Sequence, residues 1–458
     1  MVKRGLILGI LLAFSGCGDN NATVDDNNLS NIILSNDTNT TQYRLELEKT
    51  QWYATYDENF YTNKGVDENA SIHGDEVYSK YTGKGVKVAI IDNGFDMTHP
   101  ELQGRVIAKI NCTGVGVSDD IVYAYEEGNY HGTACAGIIG AAKNDIGIRG
   151  IAPNSELILI KMASSNTDAQ TIAMFQKAVD AGADIISCSW GTYDVSDTVR
   201  NYINKIATDE RDGKGVIVVF ASGNDNQLMG NDESTIKNVL GVGATDHKNL
   251  RTSYSNYGQY LDIVAPGGGQ NYSDPSITTL DIVGSIGASN TDYNLEFIGT
   301  SASAPVVAGA LALVLEAKPN ITRVELQELL KSTSDKIGLS LPYLVDYEVV
   351  DSSKPKFYGT LGDNNYKDFS LYIKSLDNNI TYGAYSISVD NNNWSVAISD
   401  ELPEGYYQST LIANNIILAT DYKFEVDLNR SNIIHSTRND YYGYGKINLQ
   451  NLINSVEN

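Results

Sequence analysis

At 458 residues, with 42% apolar residues, the chain is long enough for one large folded domain and a smaller one. Its formal net charge of −24 argues against nucleic acid as the main partner, because phosphate binding needs clustered Lys and Arg. None of its four cysteines stands at the spacing of a zinc site.

The N-terminus has a basic start (Lys3, Arg4), an apolar run over residues 5–14, then Ser15, Gly16 and Cys17. The run is too short to span a bilayer and has the form of a secretory signal. Phe14-Ser15-Gly16-Cys17 resembles a bacterial lipobox, so residues 1–17 read as a lipoprotein signal with Cys17 as the lipidated residue. The alternative is an ordinary signal peptide cut near Gly16. Either reading sends the chain out of the cytoplasm; the lipobox reading anchors it to a membrane of the cell envelope, on the periplasmic or cell-surface side. The polar stretch that follows, residues 18–42, has the composition of a flexible tether. Of the remaining cysteines, Cys112, Cys135 and Cys188, an odd number cannot all pair in one chain. Cys135 and Cys188 lie in apolar stretches and read as buried thiols.

From Gly85 onward the pattern becomes regular. Val86-Lys87-Val88-Ala89-Ile90-Ile91 is a nearly continuous apolar run, the mark of a strand buried on both faces. Similar runs recur at residues 157–160, 184–188 and 216–220. Residues 167–181 carry Ile172, Phe175 and Val179 at helical spacing behind a capping Thr167 or Asp168. Residues 302–317 read as a tightly packed apolar helix, and Thr322-Arg323-Val324-Glu325 is a capping box that opens the next one. Strands alternating with helices predict an α/β domain with a mainly parallel sheet flanked by helices, its site beyond the carboxyl ends of the strands. After about Asp351 the composition shifts to Tyr, Asn and Asp with short alternating segments (residues 369–373 and 394–398), which predicts a small all-β insert. The expected division is 43–350 for the α/β domain, 351–432 for the β insert and 433–458 for the end of the α/β domain.

Three segments carry chemistry. Asp92 ends the first strand, in Ile91-Asp92-Asn93-Gly94. His131 opens a helix, in His131-Gly132-Thr133. Ser301 opens another, in Gly299-Thr300-Ser301-Ala302-Ser303-Ala304-Pro305. A serine hydroxyl becomes a useful nucleophile when a neighbouring base takes its proton, and histidine suits that base near neutral pH. A carboxylate on the other ring nitrogen fixes the tautomer and stabilises the imidazolium. Developing oxyanion charge needs donors, for which Asn224, in Ala221-Ser222-Gly223-Asn224, and the Ser301 backbone N–H are candidates. Singly, Asp-Asn-Gly is a turn and Thr-Ser a helix cap; the chain order Asp, His, Ser joins them.

These segments resemble those of the subtilisin-like serine proteases (the subtilase superfamily, peptidase family S8). Gln51-Trp52, Ser189-Trp190-Gly191 and residues 313–319 lean towards the kexin-like branch. The resemblance implies a subtilisin-like fold, endopeptidase action on polypeptides through an acyl-enzyme, and the backbone of Ser189, Trp190 and Gly191 as an edge for an extended substrate. It places Asp194, and with a gap Asp232, as acids of a P1 pocket favouring Lys or Arg; a solvated loop acid is the alternative for Asp194. It also implies structural calcium, with Glu101, Asn144 and the carbonyls of Ala142, Ile146 and Ile148 as ligands. Asn256 stands where kexin-like enzymes have an acidic ligand of another calcium. The insert is similar to bacterial Ig-like domains. A surface adhesion or binding protein on the same scaffold is the rival reading.

Overall fold

The computed structural model describes residues 47–457 apart from 115–117, 123–128, 145, 164–165, 270–273, 336, 338–347, 351–355, 361–369, 377, 391–392, 404, 414–415 and 427–441. Cys17 and the tether lie outside the described residues.

Seven parallel strands form the central sheet: β1 (Lys87–Asp92), β2 (Val106–Asn111), β3 (Glu156–Lys161), β4 (Ile185–Cys188), β5 (Ile217–Ala221), β6 (Leu240–Thr245) and β7 (Ile263–Pro266). Their spatial order is β2-β3-β1-β4-β5-β6-β7. Strand β1 shows why the runs are apolar throughout. Val88 and Ile90 face one core, while Ala89 and Ile91 face the other. The first core lies under α2 (His131–Gly140) and α5 (Thr300–Ala317); the second lies under α3 (Asp168–Asp180) and α4 (Asp197–Asp209). Helix α1 (Glu58–Lys64) precedes the sheet, and α6 (Arg323–Thr333) and α7 (Leu449–Glu457) follow it. This is the α/β architecture with a parallel sheet flanked by helices that the alternating pattern predicts.

Local signals account for several elements. Thr167 accepts the Gln170 N–H and Gln170 returns the bond to Thr167, and Thr322 and Glu325 do the same for α6. Helix α5 is long and apolar enough to cross a membrane, yet most of it is buried inside the protein. Strands β2, β6 and β7 escape the sequence pattern: β2 is half-exposed at the sheet edge, while β6 and β7 contain Gly or Pro in Leu-Gly-Val-Gly-Ala-Thr and Ile-Val-Ala-Pro.

Two further strands, β8 (Ile277–Leu280) and β9 (Tyr293–Phe297), pair antiparallel beside α2. The β module spans β10 (Glu348–Val350) to β17 (Ile416–Val426), in sheets of five and three strands. Strand β10 pairs with β17, so the module takes in residues upstream of the expected start at 351. After it the chain returns to the α/β domain: Lys446 bridges to Val264 at the edge of β7, and α7 packs on α5.

Candidate active site

Parallel strands deliver their carboxyl ends to one rim, and three of those ends carry the site. Asp92 closes β1, Ser189 follows β4, and Asn224 lies three residues beyond β5. On the facing side, His131 and Ser301 stand in the first turns of α2 and α5.

The buried Asp92 carboxylate takes His131 Nδ1 at 2.9 and 3.0 Å and also accepts the Asn93 N–H at 2.8 Å. With Nδ1 bound to the carboxylate, Nε2 is the nitrogen left to exchange a proton. Burial, the largest single effect, pushes the His131 pKa down; the Asp92 charge, the neighbouring Cys135 and the hydrogen bonds to both together hold the imidazole well above its usual range. The Phe297 ring meets the imidazole edge to face at 5.6 Å.

Ser301 is partly exposed, and its hydroxyl donates to the Ser189 carbonyl at 3.2 Å rather than to His131. Its own backbone carbonyl is freed by Pro305, which lacks the N–H that would meet it four residues on. Ser189 Oγ donates to that carbonyl at 2.9 Å, and Cys135 Sγ lies 3.6 Å from it. Cys135, one turn after His131, is thus a buried thiol wedged behind the site, with burial raising its pKa. Cys112 and Cys188 are buried thiols as well.

Asn224 Oδ1 accepts from Thr300 N and Thr300 Oγ1, both at 2.9 Å. That fixes the amide with Nδ2 towards the Gly299 side, where a Cβ on Gly299 would stand 3.3 Å from it. Gly299 has φ +116°, a conformation that side chains resist, so glycine here meets the turn and keeps the donor open. Thr300 is a positioning residue that the sequence reading treated only as a cap. Asn256 is buried, and its Oδ1 accepts from Asp225 N and Gln227 N. It therefore shapes the Asn224 loop.

Along the expected substrate edge, Gly191 is exposed, while the Trp190 side chain is core. Its indole donates to the Ile91 carbonyl at 2.9 Å and packs against Phe175 and Phe220. Only the backbone of Trp190 is placed to serve a substrate. Asp194 is exposed and accepts from Asn231 Nδ2 at 2.7 Å. Asp232 departs from the pocket role: it caps the short helix Glu233–Thr235 by accepting the Ser234 N–H. Its neighbour Glu233 is the acid the sequence reading missed. Glu233 is buried, accepts from Thr192 N at 2.8 Å, and its Oε2 lies 3.9 Å from where a Cβ on Gly191 would be. Desolvation raises its pKa.

Hydrogen bonds reach one oxygen on each of the two expected side-chain calcium ligands. Calcium asks for six to eight oxygen lone pairs. Here Glu101 Oε1 accepts from Ile148 N at 3.1 Å and Tyr293 Oη at 2.9 Å. Asn144 Oδ1 accepts from Ile146 N at 3.1 Å. Glu101 Oε2 is buried and takes part in none of these bonds, so one carboxylate oxygen is left that suits a cation.

Comparison with known proteins agrees with this geometry. The subtilase family model matches residues 83–371. The chain belongs to the subtilase family. It is 36% identical over 260 residues to an alkaline protease of Alkalihalobacillus alcalophilus, covering 56% of this chain and 61% of the relative. It is 31% identical over 290 residues to a calcium-dependent protease of Nostoc sp., covering 56% of this chain and 42% of that protein. It thus spans under two thirds of the length of both relatives. Among solved structures, a protease of Pseudoalteromonas arctica superposes with a TM-score of 0.53 at 26% identity, covering 63% of this chain and 91% of that one.

Proposed function

We propose that this subtilase is an exported serine endopeptidase that cleaves polypeptides through an acyl-enzyme. The observation that carries the reading is the buried Asp92–His131 pair at the same rim as Ser301 and Asn224. For the reaction, Ser301 Oγ turns from the Ser189 carbonyl to His131 Nε2, gives up its proton there and attacks the scissile carbonyl carbon. The tetrahedral oxyanion accepts from Asn224 Nδ2 and the Ser301 N–H. Collapse breaks the C–N bond as His131 returns the proton to the leaving amine. Water then enters by the same route in reverse and frees the acid. A fluorophosphonate probe tests this: it should label wild type at Ser301 and fail on Ser301→Ala. An unlabelled but folded wild type would favour the adhesion reading instead.

Two finer features belong to the same proposal. Cys17 carries a lipid that holds the protein at the cell envelope, so Cys17→Ser should move it to the soluble fraction; retention in the membrane would refute the anchor. The enzyme prefers Lys or Arg at P1, supported by Asp194 beside the Gly191 edge and by the buried Glu233 behind it. Matched substrates with Arg, Leu or Phe at P1 test this, and equal kcat/KM values would overturn it. Calcium, on which the Nostoc relative depends by its name, would be held here by Glu101, Asn144 and the carbonyls of Ala142, Ile146 and Ile148.

A further inference from the structure

We propose that Tyr254 is a positioning residue of the oxyanion hole: its backbone carbonyl holds the Asn224 loop and its phenol holds the turn before Ser301, so that one residue spans both donors. This rests on the acyl-enzyme reading, in which Asn224 Nδ2 and the Ser301 N–H meet the developing oxyanion.

The two donors belong to elements far apart in the chain. Asn224 stands on the loop after β5, and Ser301 in the first turn of α5. Thr300 links them at one point, through its N–H and hydroxyl on Asn224 Oδ1. That link sets how the amide is turned. The backbone on either side needs a hold of its own, because a misplacement of about 1 Å can cost about a hundredfold in rate.

On the loop side, residues 254–256 supply it. The Tyr254 carbonyl accepts the Asn226 N–H at 2.8 Å. Asn256 Oδ1 accepts the Asp225 and Gln227 N–H groups at 2.9 and 3.2 Å, and the Asn256 N–H donates to the Gly223 carbonyl at 2.9 Å. Gly223 lies so close to Asn256 Nδ2 that a Cβ there would have no room. The loop is therefore gripped on both sides of Asn224. The gripping segment is itself anchored: the Thr252 N–H donates to the Ala244 carbonyl on β6 at 3.0 Å, and the Arg251 N–H to Tyr442 Oη at 3.1 Å.

On the helix side, the Tyr254 hydroxyl accepts the Gly299 N–H at 3.1 Å and donates to the Gly267 carbonyl at 2.8 Å. Gly299 is the N-cap of α5, two residues before Ser301, so this contact fixes where the helix begins and where the Ser301 N–H points. Burial raises the Tyr254 pKa, which keeps the hydroxyl protonated and donating. The Gly299 N–H also reaches the Gly267 carbonyl at 2.9 Å. Phenylalanine at 254 would keep the ring and the backbone carbonyl, and the Gly299 N–H would keep Gly267, so the fold can absorb Tyr254→Phe.

The test is steady-state kinetics of the full chain on a peptide substrate for wild type, Tyr254→Phe, Asn224→Ala and the double variant, with thermal unfolding of each and fluorophosphonate labelling of wild type. Tyr254→Phe should lower kcat by about ten- to a hundredfold with KM little changed. In the Asn224→Ala background the same change should cost less, because one of the two donors that Tyr254 holds is already gone. Asn256→Ala, which loosens the loop side alone, should give the same pattern, and it carries the test if Tyr254→Phe does not fold. Full kcat in Tyr254→Phe, a loss confined to KM, or an equal loss with and without Asn224 would each overturn the positioning role while wild type still cleaves and labels. A wild type that neither cleaves nor labels would overturn the acyl-enzyme reading, and the role of Tyr254 with it.

Discussion

While His131 carries a proton it cannot accept one from Ser301, so activity should rise with pH as the imidazolium titrates. Burial lowers that titration, and Asp92 together with Cys135 holds it above the usual histidine range. The acid limb of kcat/KM should therefore inflect above the ordinary histidine range. Asp92→Asn should move the limb to lower pH and cut kcat by about 10⁴, because the amide stabilises the wrong tautomer. A limb that stayed in place would separate Asp92 from the base. Asn224→Ala should lower kcat by about 10²–10³ with KM little changed, since its Nδ2 acts on the charge that develops in the transition state. A change confined to KM would make Asn224 a binding residue.

At the scale of elements, the start of α5 holds the proposed nucleophile. Pro305 withholds a helix hydrogen bond from the Ser301 carbonyl, and Ser189 Oγ takes its place at 2.9 Å. The loop after β4 and the start of α5 are thus joined on both sides of Ser301, because the Ser301 hydroxyl also reaches the Ser189 carbonyl. Pro305→Ala would restore an N–H aimed at that carbonyl and compete with Ser189. The expected outcome is a Tm equal to or above wild type, since proline inside a helix costs about 3 kcal/mol, together with a severalfold loss of kcat. Steady-state kinetics alongside thermal unfolding checks this; full activity in Pro305→Ala would show that the carbonyl needs no side-chain donor.

For the molecule as a whole, the last segment decides whether the domain closes after its β insert. Lys446 is buried completely. Its ammonium reaches the carbonyls of Asn69 and Ser71 and lies 3.6 Å from Asp335 Oδ2. Asp335 also accepts from His73 at 3.1 Å and from Asn448 at 2.7 Å. Burial pushes the Lys446 pKa down to about 8, with Asp335 opposing the shift. A lysine depressed in the folded state binds fewer protons there than in the unfolded chain between pH 8 and its ordinary 10.5, so stability should rise with pH across that window. The buried tyrosines Tyr53, Tyr61, Tyr78 and Tyr254 have raised values, so stability should fall again above about pH 10 as the unfolded tyrosines ionise. Melting curves from pH 7 to 11 test the profile. Lys446→Met should flatten the rise, because it removes the group that titrates in that window. An unchanged slope in Lys446→Met would assign the rise to other groups.

The sequence by itself determined what local chemistry can encode. The apolar run ending at Asp92 was legible as a strand buried on both faces, the boxes at Thr167 and Thr322 as helix starts, and the order Asp92, His131, Ser301 as a candidate catalytic set. These signals lie within a few residues of one another or follow a short period. Only the tertiary structure decided contacts made across long separations. Glu101 and Asn144 have oxygens that suit calcium, and only the fold brings Tyr293, 192 residues from Glu101, and the Ile148 N–H onto one oxygen of the Glu101 carboxylate. Asp232 is acidic like Glu233, yet the turn of a short helix makes the first a cap and points the second behind Gly191. Trp190 belongs to a substrate-edge motif, but its indole is consumed by the core beneath β1. Residue type limits what a side chain can do; the partners that the fold brings within about 3 Å decide which of those possibilities remains.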